Sequence, residues 1–162
     1  MGINSHFKVQ GTKQGAFPSE IKVLSFVWGA QAPHDVANGQ VTGRRQLRPL
    51  QITKHVDENT TNLFNALIGN ETLTNVELSY DKPTRGGKQE CYFKVKLTNA
   101  AVVGLEVSQA ASEIPSHPGE VVTFTYEKIE ITFRGENPDG SLGGARQAFD
   151  SVAVSSKYGS VE

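Results

Sequence analysis

At 162 residues the chain fits a single domain over 1–162, long enough to bury a core without disulfide or metal staples. Sixteen Lys+Arg against 17 Asp+Glu give no basic excess for nucleic acid and no polybasic block for anionic lipid. A single cysteine excludes an internal disulfide, and no apolar run approaches the ~20 residues that would insert into a bilayer.

Short alternating segments separated by Gly, Pro, Asn and Ser predict a mainly β fold. The segment Ile3 to Val9 reads as the first strand, and Gly11 to Ser19 as a turn. A second strand is expected over Glu20 to Trp28. Its apolar residues change phase, with Ile21 and Val23 on one face and Leu24, Phe26 and Trp28 on the other, which requires a bulge or cover on both sides. Gly29 to Gln46 has no clear periodicity and reads as a long functional loop. Leu50 and Ile52 alternate in a strand over Arg48 to Val56.

One helix is expected, with Thr60 as N-cap, Leu63, Phe64, Leu67 and Ile68 as its buried stripe, and Gly69 as C-cap. Alternation resumes at Val76, Leu78 and Tyr80, and again at Cys91, Phe93, Val95 and Leu97, with Lys82 to Lys88 as the turn between them. A break at Asn99 separates the next strand, Ala101 to Val107, and a loop follows from Ser112 to Gly119. Glu120 to Phe133 reads as the longest strand. Val122, Phe124 and Tyr126 share one face and Ile129, Ile131 and Phe133 the other, so the strand changes sides, as strands that pass between sheets do. A glycine-rich turn, Gly135 to Gly144, and an edge strand, Ala148 to Val154, complete the chain.

The sequence offers no catalytic site and no cofactor motif. His6, His34, His55 and His117 have no ligand spacing that predicts a metal. No Gly-x-Ser-x-Gly elbow occurs, and the Gly-Lys of Gly87–Lys88 lacks the rest of a phosphate loop. Cys91, alternating with Phe93 and Val95, reads as a small buried hydrophobe.

Three stretches, EIKVLSFVWG (Glu20 to Gly29), ITKHVDENTTNLFNAL (Ile52 to Leu67) and VTFTYEKIEITF (Val122 to Phe133), resemble the Hcp (hemolysin-coregulated protein) family of type VI secretion. The middle one carries the most specific spacing, Thr53, Lys54, Asp57, Thr60 and Leu63, at a strand-to-helix junction. The early turn, GTKQG, departs from the acidic character expected there. The resemblance implies a small β-barrel of two sheets with one short helix beside it. It implies a non-enzymatic homohexamer whose stacked rings form a tube, with contractile sheath, spike protein and small effectors as partners. It implies assembly in the cytoplasm, then secretion without a signal peptide, in keeping with a first ten residues that have no apolar h-region.

On this reading Tyr126, Ile129 and Ile131 form the lateral interface, because apolar residues on both faces of one strand need cover from a neighbour. Pro33, Val36, Val41, Arg44 and Arg45 form the ring-stacking interface, with Asp139 or Glu136 of the next ring as partners. A tail-tube protein of a phage-like particle is the nearest alternative, and a monomeric β-barrel binding a small ligand is another.

Overall fold

Strand β8 (Gln89–Ser108), 20 residues long, belongs to two sheets at once. A computed structural model describes residues 4–18, 21–109, 111 and 117–151. The first half of β8 pairs with β7 (Leu73–Pro83) on one edge and β10 (Lys128–Glu136) on the other. That sheet extends outward through β1 (Asn4–Gly11) and β2 (Gly15–Ala16) on one side and through β11 (Leu142–Ser151) on the other. The second half of β8 pairs with β9 (Gly119–Thr125), then β6 (Leu50–His55) and β3 (Ser25–Val27).

The long strands therefore differ from the sequence expectation in an instructive way. Asn99 does not end a strand: it takes a left-handed conformation, φ 50°, and bends β8 from one sheet into the other. Asn and Asp tolerate that region where other residues do not. The break falls instead in Glu120 to Phe133, which divides at Tyr126 and Glu127 into β9 and β10. There the Glu127 N–H donates to the carbonyls of Thr98 and Asn99, at 3.1 and 3.3 Å, so both paths turn at one level. The flip in apolar phase marked this change of sheet.

The two sheets also meet at their far side. Phe7 and Ile21 exchange backbone hydrogen bonds of 3.1 and 3.0 Å, and Leu24 donates to Thr53 at 2.8 Å before β3 joins β6. The segment read as one strand, Glu20 to Trp28, is thus handed from β1 to β6. Its phase change comes from that transfer: Ile21 and Val23 are buried, and Leu24 is half exposed. Phe7, Leu50, Ile52, Leu78, Leu97 and Phe124 fill the interior between the sheets. Residues 1–3, 19–20, 112–116 and 152–154, parts of the expected first strand, early turn and second strand, later loop and edge strand, lie outside the described residues.

The turn between β1 and β2 folds around a carboxylate. Glu71, nearly buried, accepts the backbone N–H groups of Lys13 and Gln14 at 3.0 and 2.9 Å and the Gln14 side-chain amide at 3.0 Å. Burial pushes this carboxyl up, but these hydrogen bonds and the Lys13 charge outweigh it, and the group ends below the ordinary glutamate range. The acidic character absent from the turn itself arrives from the far end of the helix. A side chain at Gly11 would displace the Glu71 carboxylate from these hydrogen bonds.

Helix α1 (Asn59–Ile68) begins a residue ahead of the expected Thr60 cap. Asp57 accepts the Asn59 N–H at 2.8 Å, while Thr60 Oγ1 accepts the Asp57 N–H at 3.0 Å, so the two side chains start the helix reciprocally. At the other end Asn70, φ 48°, takes the left-handed position expected of Gly69. Glu71 then donates to Ala66 and Asn70 to Leu67, a Schellman closure. The buried face is Leu63 and Ala66, with Leu67 partly covered; Phe64 and Ile68, assigned to the stripe from sequence, are 50% and 66% exposed. The apolar arc is wider than the face that docks.

Beneath the helix start lies a buried charge network. The Lys54 ammonium on β6, fully buried, contacts the buried Glu120 carboxylate on β9 and sits 2.8 Å from Asp57 Oδ1 and 3.2 Å from the His55 carbonyl. Lys54→Met should cost about 3–5 kcal/mol in urea unfolding, because it strands Glu120, and Lys54→Met with Glu120→Leu should recover most of that loss. A single-variant loss under about 1 kcal/mol would place the pair among ordinary surface ion pairs. Leu63→Ala should cost about 2–5 kcal/mol, while Phe64→Ala in the dilute monomer should stay within about 0.5 kcal/mol; a reversal of that order would mean the helix docks on its other face.

Candidate assembly surfaces

Gly29 to Gln46 is not an irregular loop but a hydrogen-bonded arm. Its base is the ribbon of β4 (Ala30–Gln31) and β5 (Gln46–Leu47), and a bridge joins His34 to Val41 further out. Thr42 donates to Pro33 at 2.9 Å and Asp35 to Gln40 at 2.7 Å. The Asp35 and Asn38 side chains accept the N–H groups of Ala37 and Gln40, at 2.8 and 2.9 Å, and so close the tip. Short polar turn residues, and not apolar alternation, make this ribbon, which is why its periodicity was invisible. Pro33 packs within the arm, where a Cβ at Gly43 would stand 2.7 Å from its Cγ. Val36 and Val41 point outward, 92% and 69% exposed.

Arg45 acts within the chain. Its guanidinium grips both oxygens of Asp150 on β11, which lashes the arm's base to that strand. The pairing holds the Asp150 carboxyl below the ordinary aspartate range, against a smaller opposing effect of burial, and raises the Arg45 guanidinium. The partners expected for the arginines are engaged elsewhere: Glu136 with Lys82 at 3.2 Å, Asp139 with Ser141 and, at 3.5 Å, Arg85.

Beside that ion pair opens a cavity of about 190 Å³, lined by Trp28, Leu47, Ile129, Ile131, Ala148 and Phe149 with Arg45 and Asp150 at its rim. Trp28 Nε1 donates to the Tyr126 hydroxyl at 2.6 Å, which donates in turn to the Arg48 carbonyl at 2.7 Å. Burial, with a smaller push from the Asp150 charge and against the Trp28 bond, raises the Tyr126 phenol. Tyr126 and Ile129 are 7% and 2% exposed within the lone chain. The expectation that they need a neighbour is therefore corrected: the break at Tyr126 and Glu127 reverses the alternation, so both face the chain's own core. Ile131 is half-buried on the face it shares with Ala148, while Phe149, paired with Glu130 on the other face of the sheet, is 69% exposed.

A second apolar surface, not read from sequence, lies between α1 and the second half of β8. Phe64 of α1, with Leu105 and Val107 of β8 and Thr60 and Thr61, lines an open groove of about 370 Å³. The signal in the sequence is the helix's excess of apolar residues: Phe64 and Ile68 lie on its apolar arc yet face outward. Cys91, expected buried, is half-buried and lines a third groove with Tyr92, Lys94 and Arg134.

The family model described as "Type VI secretion system effector, Hcp" matches residues 4–133. The "Major exported protein" of Pseudomonas aeruginosa is 31% identical over 144 residues, 86% of this chain and 84% of that protein. Among solved structures, one described as a type six secretion system protein superposes with a TM-score of 0.77 at 20% identity, covering 94% of this chain and 98% of that one. An Hcp protein gives 0.74 at 22% identity, covering 89% and 97%. Secreted Hcp3 of Pseudomonas aeruginosa gives 0.63 at 23%, covering 92% and 97%. At these identities the structures establish a shared fold.

The Arg45–Asp150 clasp predicts an acid response. Because the folded Asp150 is depressed, the stabilisation it brings is complete above the ordinary aspartate value of ~3.9 and is lost as pH falls through its lower folded value. Fluorescence of Trp28, the one tryptophan, should hold steady from pH ~7 to ~5 and shift only below ~3.9. In Arg45→Gln the shifted emission should already be present at neutral pH. Emission indifferent to both changes would show that the clasp does not position the arm.

Proposed function

The chain belongs to the Hcp family of type VI secretion tube proteins, a structural and non-enzymatic family, and from that premise we propose that six copies close into a ring and that rings stack into the secretion tube. One observation supports the ring above others: a single chain carries two unlike exposed apolar surfaces, Phe149 on the edge strand β11 and Phe64 with Val107 between α1 and β8. Unlike surfaces that fit each other associate head to tail, and head-to-tail contacts close into rings when the rotation permits. The count of six is the family's. On this reading Ile131 stays in the lateral interface while Tyr126 and Ile129 support it from behind.

Stacking falls to the arm. Val36 and Val41 offer its exposed apolar contacts and Arg44 a charge, while Arg45 and Pro33 hold the arm in shape. The tube works with a contractile sheath and a spike protein, carries small effectors in its lumen and leaves the cell with them, as a relative called an exported protein would.

Light scattering should give the mass of six chains. Phe149→Asp and Phe64→Asp should each reduce it to monomer with unchanged circular dichroism. A wild-type chain that stays monomeric from micromolar to near-millimolar concentration would sink the ring, and intact rings in both variants would move its interface elsewhere. Val36→Asp with Val41→Asp should leave rings intact while negative-stain images lose tubes; unaltered tubes would clear the arm of any stacking role.

A further inference from the structure

The end of β6 and the start of β9 bring two histidines together that the sequence keeps far apart. His55 is the last residue of β6, opposite Gly119 in the ladder, and the Val56 N–H donates to the Pro118 carbonyl at 3.0 Å. Those bonds fix His117 beside His55, with ring centres 5.8 Å apart and planes at 62°. Both side chains are exposed.

We propose that His55 and His117 form a two-imidazole site for a divalent transition-metal ion of the Zn²⁺ or Cu²⁺ class. Imidazole nitrogen is a preferred ligand for both ions. With metal–nitrogen bonds of about 2.0–2.1 Å, two imidazoles on one tetrahedral ion place their ring centres roughly 5.2 Å apart. The observed 5.8 Å is about half an ångström longer, a gap that rotation of two exposed side chains closes. His55 ends β6, and His117 stands two residues before β9, held there by the Val56–Pro118 bond. The nearest cation does not repel the ion: successive strand residues face opposite sides, so Lys54 points inward, where Glu120 and Asp57 meet its charge. Among the described residues no cluster of three or more His, Cys, Asp or Glu could hold an ion. Water therefore completes the coordination, and the site is open and exchangeable, weaker than a closed four-ligand structural site. A bound ion ties the exit of β6 to the entry of β9, just where α1 begins, and so adds to the fold only when loaded.

The test is calorimetry of the full chain, free of any histidine tag, titrated with zinc chloride and separately with copper chloride, alongside thermal unfolding with and without metal. About one ion should bind per chain, and the metal should raise the unfolding midpoint. His55→Gln and His117→Gln should each weaken binding about tenfold or more and abolish the rise. His6→Gln, His34→Gln and Cys91→Ser should leave both unchanged. Absence of binding up to millimolar metal would overturn the site and leave an ordinary edge-to-face ring pair. Binding that survives either substitution at His55 or His117, or that is lost in any of the three controls, would overturn it equally.

Discussion

The strand-to-helix junction turns on one ammonium group. Lys54 lies fully buried and faces carboxylates from two directions, Glu120 on the neighbouring strand and Asp57 at the head of α1. A buried lysine without partners would cost several kcal/mol; with them it becomes the point where β6, β9 and the helix must meet. The register of β6 against β9 follows, since Lys54 and Glu120 are direct ladder partners. The start of the helix follows as well, since Asp57 Oδ1 serves both Lys54 and the Asn59 N–H. Asn59 then donates to the Pro18 carbonyl at 3.0 Å and joins the early part of the chain to the same assembly.

Where local chemistry decides, the sequence was readable. Alternation placed β7 and the first half of β8, because those strands have one core face and one wet face. The phase flip at Tyr126 to Ile129 falls where the chain changes sheets, while the one at Glu20 to Trp28, which the sequence reads as a bulge or a doubly covered strand, comes from the handover from β1 to β6. They did not say which path breaks: Asn99 bends a continuous strand, while Tyr126 and Glu127, without a turn residue between them, interrupt one. A ladder held by a long partner absorbs a left-handed residue, and that information lies in the pairing. The arm escaped for the opposite reason, its ribbon being made from side-chain caps at Asp35 and Asn38.

The candidate surfaces were legible only in part. Val36 and Val41 stood out as apolar residues in polar surroundings, and they are exposed. Arg45 stood out as charge, yet its partner Asp150 sits more than a hundred positions away, on a strand whose pairing the sequence did not give. Phe64 illustrates a general ambiguity: apolar residues that dock a helix and apolar residues that dock a neighbour share one arc, and only the packing of Leu63 and Ala66 separates them. The pairing of His55 with His117 was beyond reach from sequence because it depends on the β6–β9 register.

The passage of β8 through both sheets has a mechanical meaning. A body pushed along its axis fails first where layers are joined only by side-chain contact, because those contacts yield one after another. Here the layers share a single covalent backbone of 20 residues, roughly 66 Å if fully extended. β9 and β10 lie along the same edge of that backbone, end to end. Thrust entering one sheet is delivered to the other through peptide bonds, and the hydrogen bonds alongside are loaded together in shear. The subunit is in that sense reinforced lengthwise, like a beam with one unbroken fibre running through its joint.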